Sequence, residues 1–164
     1  MSRDSNVHRL NGGSAAAQEV HGEFVTLRLC GQTLGIPVMA VHDVLAAQKI
    51  TPIPLAPYAV AGVLNLRGRI VTAIDLRARL GLPPRGEGDA CMSIVVEHKG
   101  EPYSLLIDSV GEVLTLTAGQ YERNPVTLDT HWQLVSNGIY RLDGELLVVV
   151  DVERLLDIGL TAVA

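Results

Sequence analysis

The chain has 164 residues, 48% of them apolar and 19% charged, with a formal net charge of −5. That length serves one ordinary domain or two small halves sharing a core, and the composition belongs to a folding sequence rather than a disordered one. The acidic balance excludes a nucleic-acid surface, which needs clustered Lys and Arg to neutralise the backbone.

Residues 1–22 are polar, small and without period, and are expected to form a flexible tail. From Glu23 the character changes. "EFVTLRLCG" sets Phe24, Thr26 and Arg28 against the wholly apolar Val25, Leu27 and Leu29, the pattern of a half-buried strand. A turn at Gly31 leads into "QTLGIPV", where Pro37 marks an edge strand or an early end. "VMAVHDVLAAQKI" reads as more strand or a brief helical turn, and the prolines of "TPIPLAPYAVAG" make a rigid connector. "AVAGVLNLRGRIVTAID" reads as strand, turn at Asn65–Gly68, and strand. "LRARLGL" is a short helical turn closed by Gly81, and "PPRGEGD" is an exposed loop. The pattern restarts in "CMSIVVEHKGEPYSLLIDSVGEVLTL" and finishes in "GIYRLDGELLVVVDVERLLDIG", whose last piece is helical.

The restart is an internal echo. Placed 69 residues apart, Gly31 and Gly100 bring Val41 onto Val110, Val44 onto Val113 and Leu45 onto Leu114. Placed on each other, Gly68 and Gly144 bring Asp75 onto Asp151 and Leu80 onto Leu156. Two such echoes in one order imply two copies of a small β unit, roughly 23–85 and 90–158, with room for exchanged strands. Residues 159–164 are a short C-terminal tail. Each copy holds about five short strands, which bury their edges best by curling into a barrel. Units this small are expected to pack on each other.

Chemistry is hard to find in this pattern. The five histidines show no metal-ligand spacing, so no zinc site is expected. No dinucleotide, phosphate-loop or nucleophile-elbow motif occurs. Asp75, Asp108 and Asp151 each end an apolar run. For Asp75 and Asp151 the preferred reading is helix N-capping, and for Asp108 a turn. Cys30 and Cys91 lie beside apolar runs and read as free buried thiols of a reducing compartment. No signal-peptide core and no run of eighteen apolar residues appears, so a cytoplasmic protein is expected. The tyrosines, Trp132, Met39 and Met92 are assigned to packing.

With these segments in place, the chain resembles the CheW-like domains of bacterial chemotaxis. The most specific run is "VAGVLNLRGRIVTAIDLRARLGL", Val60 to Leu82, and three further segments resemble the family in order: "EFVTLRLCGQTLGIPVMAVHDVL", "YSLLIDSVGEVLTL" and "GIYRLDGELLVVVDVERLL". The resemblance implies an all-β fold of two five-stranded SH3-like barrels on a common core, with short helical turns and a C-terminal helix. It implies a non-catalytic adaptor, without cofactor, that joins the tip of methyl-accepting chemotaxis receptors to the histidine kinase CheA. Such an adaptor is a monomer alone and assembles in arrays. Arg67 matches the arginine of the family's "NLRG" turn, and Asp43 would be its acidic partner, one methylene shorter than the Glu of many relatives. Val41, Val44 and Met92 are the candidate apolar anchors for a partner helix, with Asp43 and Arg67 at the rim. Asn65, Gly68, Asp75 and Asp151 are the turn and cap residues. The alternatives kept open are an adaptor of another receptor–kinase pathway, such as pilus motility or surface sensing, and a small β-barrel ligand-binding protein or enzyme.

Overall fold

The computed structural model describes residues 19–123 and 127–157. Among them, two sheets account for most of the fold. The first contains β1 (Val20–Leu29), β2 (Gln32–Pro37), β8 (Ser109–Thr117), β9 (Tyr121–Glu122), β10 (Ser136–Leu142) and β11 (Glu145–Val150), in the order β8-β1-β2-β11-β10-β9. The second contains β3 (Val41–Ala46), β4 (Val60–Leu66), β5 (Arg69–Asp75), β6 (Met92–His98) and β7 (Glu101–Ile107), in the order β3-β6-β7-β5-β4. The two-residue β9 makes the first sheet six-stranded rather than five-stranded. Three one-turn helices follow strands or loops: α1 (Leu76–Arg79), α2 (Thr130–Gln133) and α3 (Val152–Leu155).

Two-residue turns set the hairpins. Cys30–Gly31, Arg67–Gly68 and Lys99–Gly100 all have positive φ at both residues, from +50° to +84°, the signature of type I′ turns whose twist matches the strands they join. In Asp143–Gly144 only the glycine is positive, at +83°. The four glycines that anchor the sequence echo are therefore the second residues of four hairpin turns.

The repeats and the sheets are offset. The chain lies in the first sheet up to Pro37, crosses through a 3₁₀ turn at Val38–Ala40, stays in the second sheet through Ile107, and returns at Asp108. The parallel pairs β2–β11 and β5–β7 each join a strand before residue 85 to one after residue 90. Pro37 ends β2, but β2 is no edge; it lies between β1 and β11.

Each sheet is covered on both faces. Between the sheets lies a shared core that includes Leu27, Leu34, Ile74, Ile94, Leu105 and Val148. A second cluster, Phe24, Leu116, Tyr140, Leu147 and Val149, fills the first sheet's other face. Leu64, Val71, Ala73 and Leu106 fill the second's. Each fully buried Leu or Ile contributes about 1.5–3 kcal/mol relative to exposure. This arrangement corrects the half-buried reading of β1, because Phe24 and Thr26 are as buried as Val25. Thr26 tolerates burial because its Oγ1 donates to the carbonyl of Glu112 at 2.6 Å.

Other expectations change as well. β1 begins at Val20, inside the stretch read as tail, and His21 there is hydrogen-bonded through Nδ1 to the Tyr140 hydroxyl at 2.7 Å. The rest of the N-terminal stretch and residues 159–164 lie outside the described residues. Cys30 is exposed, not buried, because it occupies the first left-handed position of its turn, φ +50°. Cys91 is half-buried, and both thiols are free. Met39 is 92% exposed, since the 3₁₀ turn points it away from the core.

Candidate functional site

The arginine-bearing turn is positioned by its own backbone. Leu66 pairs with Arg69, leaving Arg67 and Gly68 as the loop, and the Gly68 amide donates to Asn65 Oδ1 at 2.9 Å. Arg67 holds φ +53°, where a residue with a Cβ costs about 1–2 kcal/mol more than glycine. From that turn its Nη2 lies 2.9 Å from Asp43 Oδ2. Asp43 Oδ1 accepts from the amide of Val44 at 2.9 Å. Oδ2 is buried and makes no well-aligned hydrogen bond, so the contact with Arg67 is ionic rather than directional. The guanidinium is 76% exposed, which limits the pair to about 0–1 kcal/mol.

A bulge in β3 decides which side chains meet. Val41 pairs with Val96 and Asp43 with Val95, so His42 is the extra residue. Directly paired residues share a face of the sheet. Val41 and Val44 therefore stand with Val96 and Ile94 on the shared-core face, and Met92 joins them through its pairing with Ala46. Asp43 stands on the opposite face with Val95. There a cleft of ≈ 220 Å³ opens, walled by Leu66, Val71, Val95 and Pro102 and rimmed by Arg67 and Asp43. His42 and Glu97 also reach its rim, with His42 Nε2 3.7 Å from Glu97 Oε2.

The structure thus brings Arg67 to Asp43, and separately groups Val41, Val44 and Met92. It does not set the charged pair and the apolar group on one face. Val41 and Met92 are half-buried against the shared core, and Val44 is the most exposed of the three at 39%. Leu55 and Tyr58, on the proline-rich connector, are exposed to a degree that their apolar bulk did not foretell.

Asp75 and Asp151 cap helices. Asp75 Oδ1 accepts from the Arg77 amide at 3.0 Å, and Asp151 Oδ1 from the Glu153 and Arg154 amides at 3.0 and 3.3 Å. Asp108 does more than its turn required. Its Oδ2 accepts from Arg77 Nη2 at 2.7 Å and from the Cys30 amide at 2.9 Å. Its Oδ1 accepts from Arg77 Nε at 3.1 Å and from Arg85 Nη2 at 2.9 Å. Burial pushes this carboxyl up, but the bonds from Arg77, Cys30 and Arg85 outweigh it and hold it below the usual carboxylate range. Arg85 belongs to the loop read as exposed, yet its side chain is 13% exposed because it reaches Asp108 and lies 4.0 Å from Asp75. The only hints in the sequence were two arginines and an acid without assigned partners, separated by 31 and 23 residues.

No group of three His, Cys, Asp or Glu able to hold a metal occurs among the described residues, and no described helix is long and apolar enough to cross a membrane. Two SH3-like β-barrel units on one core, with a charged cleft and turn-borne arginine, define a scaffold of the double-barrel class. The comparisons place it further. The model of the CheW-like domain matches residues 23–159, and the chain belongs to that family. It is 32% identical over 144 residues to the chemotaxis protein CheW of Klebsiella aerogenes, covering 86% of this chain and 85% of that protein. The protein PilI of Pseudomonas aeruginosa is 26% identical over 147 residues, covering 88% and 83%. The crystal structure of the scaffolding protein TtCheW from Thermoanaerobacter tengcongensis superposes with a TM-score of 0.74 at 30% identity, covering 84% of this chain and 94% of that one.

Proposed function

We propose that this protein is a non-catalytic CheW-type adaptor that couples methyl-accepting chemotaxis receptors to the CheW-like regulatory domain of the histidine kinase CheA. The observation that carries the reading is the CheW-like family match across residues 23–159, which takes in both barrels and the Arg67 turn. In this reading the adaptor is cytoplasmic, monomeric in dilute solution, and recruited to receptor arrays. It passes on receptor state only through different affinities for the two states. Weak contacts repeated across an array give firm assembly through effective concentration. Val41, Val44 and Met92 supply apolar anchors on one face of β3. Arg67 and Asp43 hold the turn on the other face in place.

The test is a calorimetric titration against the CheA regulatory domain of the same organism, and another against a soluble receptor-tip fragment. Saturable binding to both is expected, with Arg67→Ala and Asp43→Ala weakening at least one of them about three- to tenfold, the scale of a lost rim contact. A folded protein that binds neither sinks the reading. The similarity to PilI supports a second reading, an adaptor of another receptor–kinase pathway such as pilus motility. Binding to that pathway's kinase in place of CheA would select it.

A further inference from the structure

The two places where the chain passes between sheets are equivalent in the repeat but built in opposite ways. A shift of 69 residues lays Asp108 on Met39. The outward crossing is the 3₁₀ turn Val38–Ala40, which has no side-chain cap bond and no buried residue. It leads into β3, an edge strand paired only with β6 and interrupted by the bulge at His42. The return crossing is Asp108 alone, between the last residue of β7 and the first of β8. Its donors come from three separate segments: Arg77 of α1, Arg85 of the connector between repeats, and the Cys30 amide of the β1–β2 turn. Its own amide donates to the Arg28 carbonyl at 3.1 Å.

We infer that Asp108 is a positioning residue that locks one crossing, so that movement between the barrels is confined to the other, which leads into the strand bearing Val41 and Val44. Both carboxylate oxygens are fully engaged, two donors each. The Asp108 side chain is 19% exposed and both arginines 13%, so solvent screens these contacts weakly. Opening this crossing would strand two largely buried guanidinium ions, whereas opening the other breaks only backbone bonds of a short turn and an edge. The barrels therefore stay one body on the Asp108 side and give on the β3 side. The use of that give by a partner rests on the adaptor reading; the lock itself does not.

The experiment is residue-resolved amide hydrogen exchange on the full chain, wild type against Asp108→Asn and Arg85→Ala. In the wild type, the Cys30 amide and the start of β8 exchange more slowly than the bulged part of β3. Either variant speeds exchange at Cys30 and the start of β8 by about tenfold, the loss of one charge-assisted bond, and leaves β10 and β11 unchanged. Equal acceleration across all strands marks a merely structural role and overturns the lock, as does no change at Cys30. Arg85→Ala keeps the Arg77 pair, so the test stands if Asp108→Asn does not fold. Titration with the CheA regulatory domain adds the second readout. About threefold weaker binding by the variants is expected, and unchanged affinity overturns the positioning role. If the wild type fails to bind, the adaptor reading falls while exchange still judges the lock.

Discussion

The hairpins β4–β5 and β10–β11 are the same device in two settings. Each has a bulge with a glycine at φ near +145°, Gly62 at +148° and Gly138 at +141°. Each turns through a glycine at about +84° and ends in an aspartate that caps a one-turn helix. What surrounds them differs. A Cβ on Gly62 would stand 2.2 Å from the Thr51 carbonyl oxygen, because the connector pairs there with β4. A Cβ on Gly138 would meet the edge of the Tyr121 ring at 2.5 Å. Arg67 reaches Asp43, while the equivalent positions in the second copy hold two acids, Asp143 and Glu112. Arg77 clamps Asp108, while its counterpart in α3 is Glu153. Repetition preserved the backbone devices and let the side chains that work on them diverge.

The largest break in this likeness is expected from Gly62→Ala. Backbone cannot step aside for the new methyl, so the cost is about 3 kcal/mol or more, read as a fall in the urea midpoint. Next comes Asp108→Asn, which weakens the first copy alone by about 2–4 kcal/mol. The same carboxylate makes a pH prediction. Its folded pKa lies below the unfolded value, so its stabilisation is complete above the unfolded value and is lost as pH falls through the folded one. Acid unfolding monitored by circular dichroism should be less steep on its acidic limb in Asp108→Asn, and an unchanged limb would contradict the assignment. Gly138→Ala should cost only about 1–2 kcal/mol, since the Tyr121 ring is 40% exposed and can swing away. Smallest is Asp143→Arg, which sets an arginine opposite Glu112 as Arg67 stands to Asp43. A gain of about 0–1 kcal/mol in thermal unfolding, erased by added salt, would show the two mouths to be interchangeable.

Much of the fold was legible because its signals are local. A glycine after a one-residue partner between apolar runs reads as a hairpin, and the aspartates at the ends of those runs read as caps, since both depend on a few neighbouring residues. The pairing of Arg67 with Asp43 was legible only through family resemblance, as nothing local ties positions 24 residues apart. The bulge at His42 was not legible. One extra residue in a ladder leaves no mark in an alternating pattern, yet it turns Val41 and Val44 to one face and Asp43 to the other. Reading Cys30 as buried failed for a related reason: apolar neighbours on both sides suggested a core, and the left-handed turn that exposes it is set by strand register.

By itself, then, the sequence determined the β class, the turns, the caps and the existence of two copies. Each of these follows from backbone preference and from periodicity over a few residues. The tertiary structure alone decided that β2 would be central, that the copies would interleave through the pairs β2–β11 and β5–β7, and that Asp108 would gather Arg77, Arg85 and the Cys30 amide. Those outcomes depend on which covered face meets which, and on the cost of leaving a buried charge without its partner. That cost is settled only when distant segments share one interior.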